Sequence, residues 1–142
     1  MKRKYPVVII SEEGASWLEK GQMWMYKNNL ESIDEDAENG TLVDIISEKG
    51  KYLGTGFLSR NSHITVRILS KNPDEVFDRD FFKKRIKFAY DFRKTLEKEN
   101  ITNCRLIFGE ADELPGLTVD RYNDILVAQI STYGMEQIKD ML

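Results

Sequence analysis

The chain has 142 residues, 41% of them hydrophobic and 11% aromatic, enough to bury one core or two small ones and too apolar for a disordered segment. A net charge of −3 and a pI near 5.3 lack the basic excess of a dedicated nucleic-acid binder, and apolar runs such as Val7–Ile10 and Ile125–Ala128 fall far short of a membrane span. One cysteine, Cys104, closes no internal disulfide, so a reducing cytoplasm is the expected compartment, and the basic "MKRKY" start is followed by too few apolar residues for a signal-peptide core.

In chain order, "PVVIIS" reads as a strand and "EEGASWLEKG" as a turn or two of helix ended by Gly21. "MWMYKNNLESI" alternates enough to be one extended segment. Five acids then fall in "ESIDEDAENG"; residues 1–72 hold ten Lys/Arg against ten Asp/Glu, so the remainder of that stretch carries +5. This is either a local basic surface or a solvated acidic loop balancing scattered lysines. "TLVDIISEKGKYLGTGFLS" reads as a hairpin bent at Glu48-Lys49-Gly50, and "HITVRILS" as a strand with Ile64, Val66 and Ile68 on one face. About five short strands at these spacings suggest a small closed or half-closed barrel.

A proline and a run of charges in "KNPDEVFDRD" place a domain boundary near residues 72–78. From Phe81 to about Lys98 the period is helical, with Phe81, Phe82, Ile86, Phe88, Ala89, Phe92 and Leu96 forming a broad arc expected to be buried. Lys83, Lys84, Lys87, Lys94 and Lys98 form the solvated side, while Arg85 and Arg93 project into the apolar arc and need carboxylates or an edge to snorkel to. "CRLIFGEAD" is a strand candidate, and "GLTVDRYNDILVAQIS" is two strands joined at Asn123-Asp124. "GMEQIKDML" looks like the start of a longer helix.

Few of these residues suggest catalysis. There is no phosphate-binding lysine loop and no zinc spacing, and the single histidine, His63, stands beside Ser62 without a recognisable orienting acid. "LGTGFLS" resembles a nucleotide-site glycine turn, but a strand follows it, so its glycines are read as relieving crowding in a bent barrel. The carboxylate-rich "GEADELPGLTVDRYND" misses the calcium-loop pattern. Its Glu110, Asp112 and Asp120 are better read as partners of Arg85 and Arg93 than as metal ligands, with Pro115-Gly116 making a tight turn.

Taken together, "GTLVDIISEKGKYLGTGFLSRNSHITVRILS", the "FFKKRIKFAYDFR" helix and "GEADELPGLTVDRYNDILVAQ" resemble the N-terminal half of the large-subunit ribosomal RNA cytosine-C5 methyltransferases that begin with a PUA domain. The resemblance implies an α+β chain: a PUA-like small β-barrel over residues 1–72 and a helix-plus-antiparallel-strand connecting domain over residues 73–142. The third, Rossmann-like domain of that family, which binds S-adenosylmethionine and carries the cysteine nucleophile, has no counterpart here. No catalytic residue, metal or cofactor is therefore assigned to this chain, Cys104 included, and its end is expected to be a truncation.

RNA, specifically 23S rRNA, is the partner the resemblance implies. It maps the RNA face to "EKGQMWMYKNN" and "SRNSH", giving Lys20, Gly21, Gln22, Trp24, Tyr26, Lys27, Arg60, Asn61, Ser62 and His63 as candidates. Trp24 and Tyr26 are either stacking platforms or core residues. Where the family commonly has His-Pro-Trp, this chain has Gln22-Met23-Trp24. Two other readings are a free-standing RNA-binding module and a protein-interaction fragment, such as a homodimer element, without RNA affinity.

Overall fold

The computed structural model describes residues 5–142; the basic N-terminal stretch lies outside them. The chain divides into two compact units, Met1–Glu75 and Val76–Leu142. It is a mixed α+β protein whose first unit is a curled sheet, a half-barrel.

The first unit contains β1 (Val7–Ile10), α1 (Glu12–Glu19), β2 (Trp24–Tyr26), β3 (Leu30–Ile33), β4 (Leu42–Ser47), β5 (Tyr52–Leu58) and β6 (Ile64–Ser70). The six strands pair in the order β2-β6-β5-β4-β1-β3, with β1 and β4 parallel. Helix α1 starts where Ser11 caps it, the hydroxyl accepting the Gly14 amide at 3.2 Å, and Glu12 and Glu13 meet the positive end of its dipole. It buries Gly14, Ala15 and Leu18 toward the sheet. Leu18 joins Val8, Ile10, Met25, Val43, Ile45, Leu58, Val66 and Ile68 in the core; each such side chain contributes about 1.5–3 kcal/mol on burial.

"MWMYKNNLESI" is not one extended segment. A 3-10 turn, Lys27–Asn29, splits it, so that β2 pairs with β6 while β3 pairs with β1 across the other edge of the sheet. Strand β5 shows why it carries glycines: a methyl group on Gly56 would lie 2.2 Å from the Arg67 carbonyl oxygen of β6. "LGTGFLS" is paired on both sides, by β4 and by β6.

The second unit contains α2 (Arg79–Glu97), β7 (Asn103–Phe108), β8 (Leu117–Tyr122), β9 (Ile125–Ile130) and α3 (Tyr133–Gln137). Asp78 caps α2, its carboxylate accepting the Phe81 amide at 2.9 Å. The three strands form an antiparallel meander, β7-β8-β9. Asn123 turns the last hairpin at φ 55°, and Gly116 supplies φ 87° after Pro115.

The buried arc of α2 is narrower than its apolar residues suggest. Phe82 and Ala89 are buried and Arg93 nearly so, but Phe88 is 76% exposed and Leu96 58%, with Phe92 also in solvent. The reason lies in the partner: α2 packs chiefly on the single strand β7, and one strand cannot cover an apolar arc that wide. Beside it the sheet leaves an apolar groove of about 700 Å³ over β8 and β9, lined by Ile86, Tyr90, Val119, Leu126 and Ala128 among others.

Candidate nucleic-acid interface

Pairing of β2 with β6 brings the two sequence-assigned segments of the first unit together. Tyr26 is opposite Ile64, and the Lys27 amide donates to the His63 carbonyl at 3.2 Å. Tyr26, Lys27, Asn61 and His63 are exposed on this edge, and Lys27 has no ion-pair partner among the described residues. The alternation of β2 buries Met25 and turns Tyr26 outward, leaving Trp24 half-buried with its indole nitrogen fully enclosed and without a hydrogen-bond partner. The more exposed tryptophan is Trp17 on α1, which the sequence reading passed over. Its signal was available: with Gly14, Ala15 and Leu18 forming the buried stripe of α1, position 17 falls off that stripe.

Two candidates hold their own loops together. Arg60 donates from Nε to the Ala37 carbonyl at 2.9 Å and from a terminal nitrogen to the Asp34 carbonyl at 3.0 Å. Its guanidinium thereby fastens the acidic loop, a role set by residues more than twenty positions away. Ser62 supports its own turn, its hydroxyl accepting the Ile64 amide at 3.2 Å. Lys20 and Gly21 are exposed at the end of α1, and Gln22 is half-buried beside them.

The carboxylate-rich stretch of the second unit is architecture. Arg93 donates to Asp112 at 2.7 Å and to the Arg105 carbonyl at 3.1 Å, and Asp112 also accepts the Phe108 amide at 2.7 Å. Both side chains are nearly buried, 14% and 8% exposed. Arg85 reaches Glu113, at 3.4 Å from the carboxylate, and stacks on Phe81, 4.3 Å from the ring centroid. Glu110 and Asp112 sit in a 3-10 turn, Gly109–Asp112. Among the described residues, no three His, Cys, Asp or Glu side chains cluster as a metal site would require. Burial pushes the Cys104 thiol above its ordinary range, disfavouring the thiolate a nucleophile needs.

Asp120, on β8, takes Arg105 as its partner through two hydrogen bonds of 2.8 and 3.1 Å. Those bonds and the guanidinium charge hold its carboxyl below the usual aspartate range. A carboxyl lowered by folding contributes stability above its unfolded pKa and loses it as pH falls through the folded one. A carbon-13 titration of Asp120 is thus expected to show a midpoint below the ordinary aspartate value, returning to it in Arg105→Ala. Identical midpoints in the two proteins would show that the fork exerts no hold.

Residues 8–71 match the family described as a PUA-like domain. Over 126 residues the chain is 36% identical to a "Ribosomal RNA large subunit methyltransferase I" of Aliivibrio fischeri, covering 88% of this chain and 32% of that protein. The protein of the same name from Shewanella denitrificans is 39% identical over 127 residues, 88% of this chain and 32% of the relative. The chain thus carries a PUA-like domain and is similar over 88% of its length to large-subunit ribosomal RNA methyltransferases. It spans about a third of the length of these curated relatives. Among solved structures, a Streptococcus mutans protein described as a SAM-dependent methyltransferase superposes with a TM-score of 0.82 at 20% identity, over 95% of this chain and 35% of that one. A methyltransferase solved with SAH gives 0.79 at 21% identity, with the same coverage. This likeness shows the fold.

Among the described residues, no helix is long and apolar enough to cross a membrane.

Proposed function

We propose that this chain is the RNA-binding, substrate-positioning part of an S-adenosylmethionine-dependent 23S rRNA cytosine-C5 methyltransferase acting in the cytoplasm. Residues 1–72 carry the RNA contacts and residues 73–142 connect them to the chemistry, which the rest of a protein of its relatives' length supplies. The observation that carries this reading is the β2–β6 edge of the PUA-like unit, where exposed Tyr26 and Lys27 lie against the His63 turn. An unpaired ammonium beside an exposed phenol ring and polar turn residues is suited to backbone phosphate and an unstacked base. The family name of the relatives supplies the class of RNA.

The test is a salt titration of this chain with structured 23S rRNA fragments. Binding through Z phosphate contacts weakens with salt at a logarithmic slope near −0.9Z on duplex regions, and Lys27→Ala is expected to make the slope shallower by about 0.9. Absence of binding at low salt would sink the proposal, as would a slope unchanged by the substitution.

A further inference from the structure

We infer that the C-terminal end of α1 holds a subsite for one unpaired nucleotide of single-stranded RNA, with Trp17 as its stacking platform. This rests on the RNA-binding reading above and extends it to a residue outside the β2–β6 edge.

Trp17, Lys20 and Gln22 line one shallow concavity of about 350 Å³. The backbone that brings them together is tied: the Lys20 amide donates to Ser16 at 3.1 Å, the Gly21 amide to Leu18 at 3.1 Å, and the Gln22 amide to Trp17 at 3.0 Å. Gly21, at φ 101°, makes the bend that returns Gln22 to the tryptophan. Fixed backbone with available side chains is the arrangement a preformed binding site needs.

The side chains are uncommitted where their neighbours are not. Around α1, Lys49 is paired with Glu12 at 2.5 Å, Lys51 with Glu19 at 2.6 Å, and Lys71 donates to the Leu18 carbonyl at 2.5 Å. Among the described residues neither the Lys20 ammonium nor the Gln22 amide has a hydrogen-bond or ion-pair partner. Trp17 is 36% exposed, beside the buried stripe of α1 formed by Gly14, Ala15 and Leu18. An indole face, a free ammonium and a free amide are the three groups that hold a nucleotide: the ring stacks on the base, the ammonium meets the phosphate, and the amide reads the base edge. Glu13 stands one turn before Trp17 on α1, so the phosphate is expected on the Lys20 side.

A duplex keeps its bases stacked and withholds them from such a platform. The site therefore discriminates strandedness, which phosphate contacts alone do not.

The experiment measures binding of the 142-residue chain to a fluorescently labelled single-stranded RNA and to the same sequence in a blunt duplex, at one low salt concentration. Trp17→Ala is expected to weaken single-strand binding by about five- to a hundredfold and to leave the duplex affinity within a factor of two. Trp17→Phe is expected to recover most of the loss, since a smaller ring still stacks, and circular dichroism of both variants should match the parent chain. Equal single-strand affinities for Trp17→Ala and the parent would overturn the subsite while leaving RNA binding at the β2–β6 edge intact. Parallel losses on single strand and duplex would overturn it too, by showing a general effect. A parent chain that binds neither RNA removes the underlying reading instead, and the subsite falls with it.

Discussion

Arg93→Ala is expected to destabilise the second unit by about 3–5 kcal/mol, the range for breaking a buried ion pair by removing one partner. The arginine and Asp112 are nearly buried, and the guanidinium answers both that carboxylate and the Arg105 carbonyl. Its removal leaves Asp112, 8% exposed, with the Phe108 amide as its remaining hydrogen-bond donor among the described residues. Both tryptophans, Trp17 and Trp24, lie in the first unit, so their fluorescence does not report this loss directly. The measurement is amide exchange in α2 and β7, alongside urea unfolding followed by circular dichroism. Lys87→Ala breaks the exposed pair with Asp91 on the same helix and serves as the control, expected within about 1 kcal/mol. A change below about 0.5 kcal/mol for Arg93→Ala would mean that the arginine is solvated.

Gly56→Ala carries the second large effect, in the first unit. The added methyl meets the Arg67 carbonyl oxygen at 2.2 Å and lies 2.9 Å from the Ile68 α-carbon, all of it backbone that cannot rotate away. Strands β5 and β6 must part at a point where Gly56 is paired with Ile68 in the middle of the sheet. The cost is expected at or above the upper end of the 1–3 kcal/mol typical of overpacking, read as a lower urea midpoint by tryptophan fluorescence. Gly54→Ala is the milder companion, because its nearest contact, the Ser70 carbonyl oxygen, is 3.0 Å away rather than 2.2 Å. Equal midpoints for Gly56→Ala and the parent would show that the strands yield without strain.

Much of the fold could be read from local pattern. The hairpin of β4 and β5, the short helix α1 ended at Gly21 and the Asn123 turn each depend on residues adjacent in sequence, and propensity and periodicity speak to those. The break between β2 and β3 carries no glycine or proline, so "YKNN" gives no sign that the two halves cross to opposite edges of the sheet. For α2, periodicity identified a helix with inward arginines, but which part of a wide apolar arc meets the sheet is decided by the width of that sheet. Arg60 illustrates the limit at the site itself: an arginine in an RNA-facing turn and an arginine stapling an acidic loop look the same until the loop's carbonyls are in place. Trp17 shows the reverse, since its exposure follows from the helical stripe alone.

The outer edge of β9 gives salt a second place at which it would act on this protein. That strand is the open edge of its sheet, reads Ile-Leu-Val-Ala-Gln-Ile without one charge, and leaves Ile125, Leu126 and Val127 in solvent. Native sheets usually guard such an edge with lysine, proline or a bulge. Association between copies through it would be strengthened by sulfate, which favours burial of apolar surface, whereas contacts with phosphate weaken in any salt. The two kinds of complex thus respond to added sulfate with opposite sign, and one titration in sulfate beside one in chloride separates RNA capture from clustering of the protein with itself.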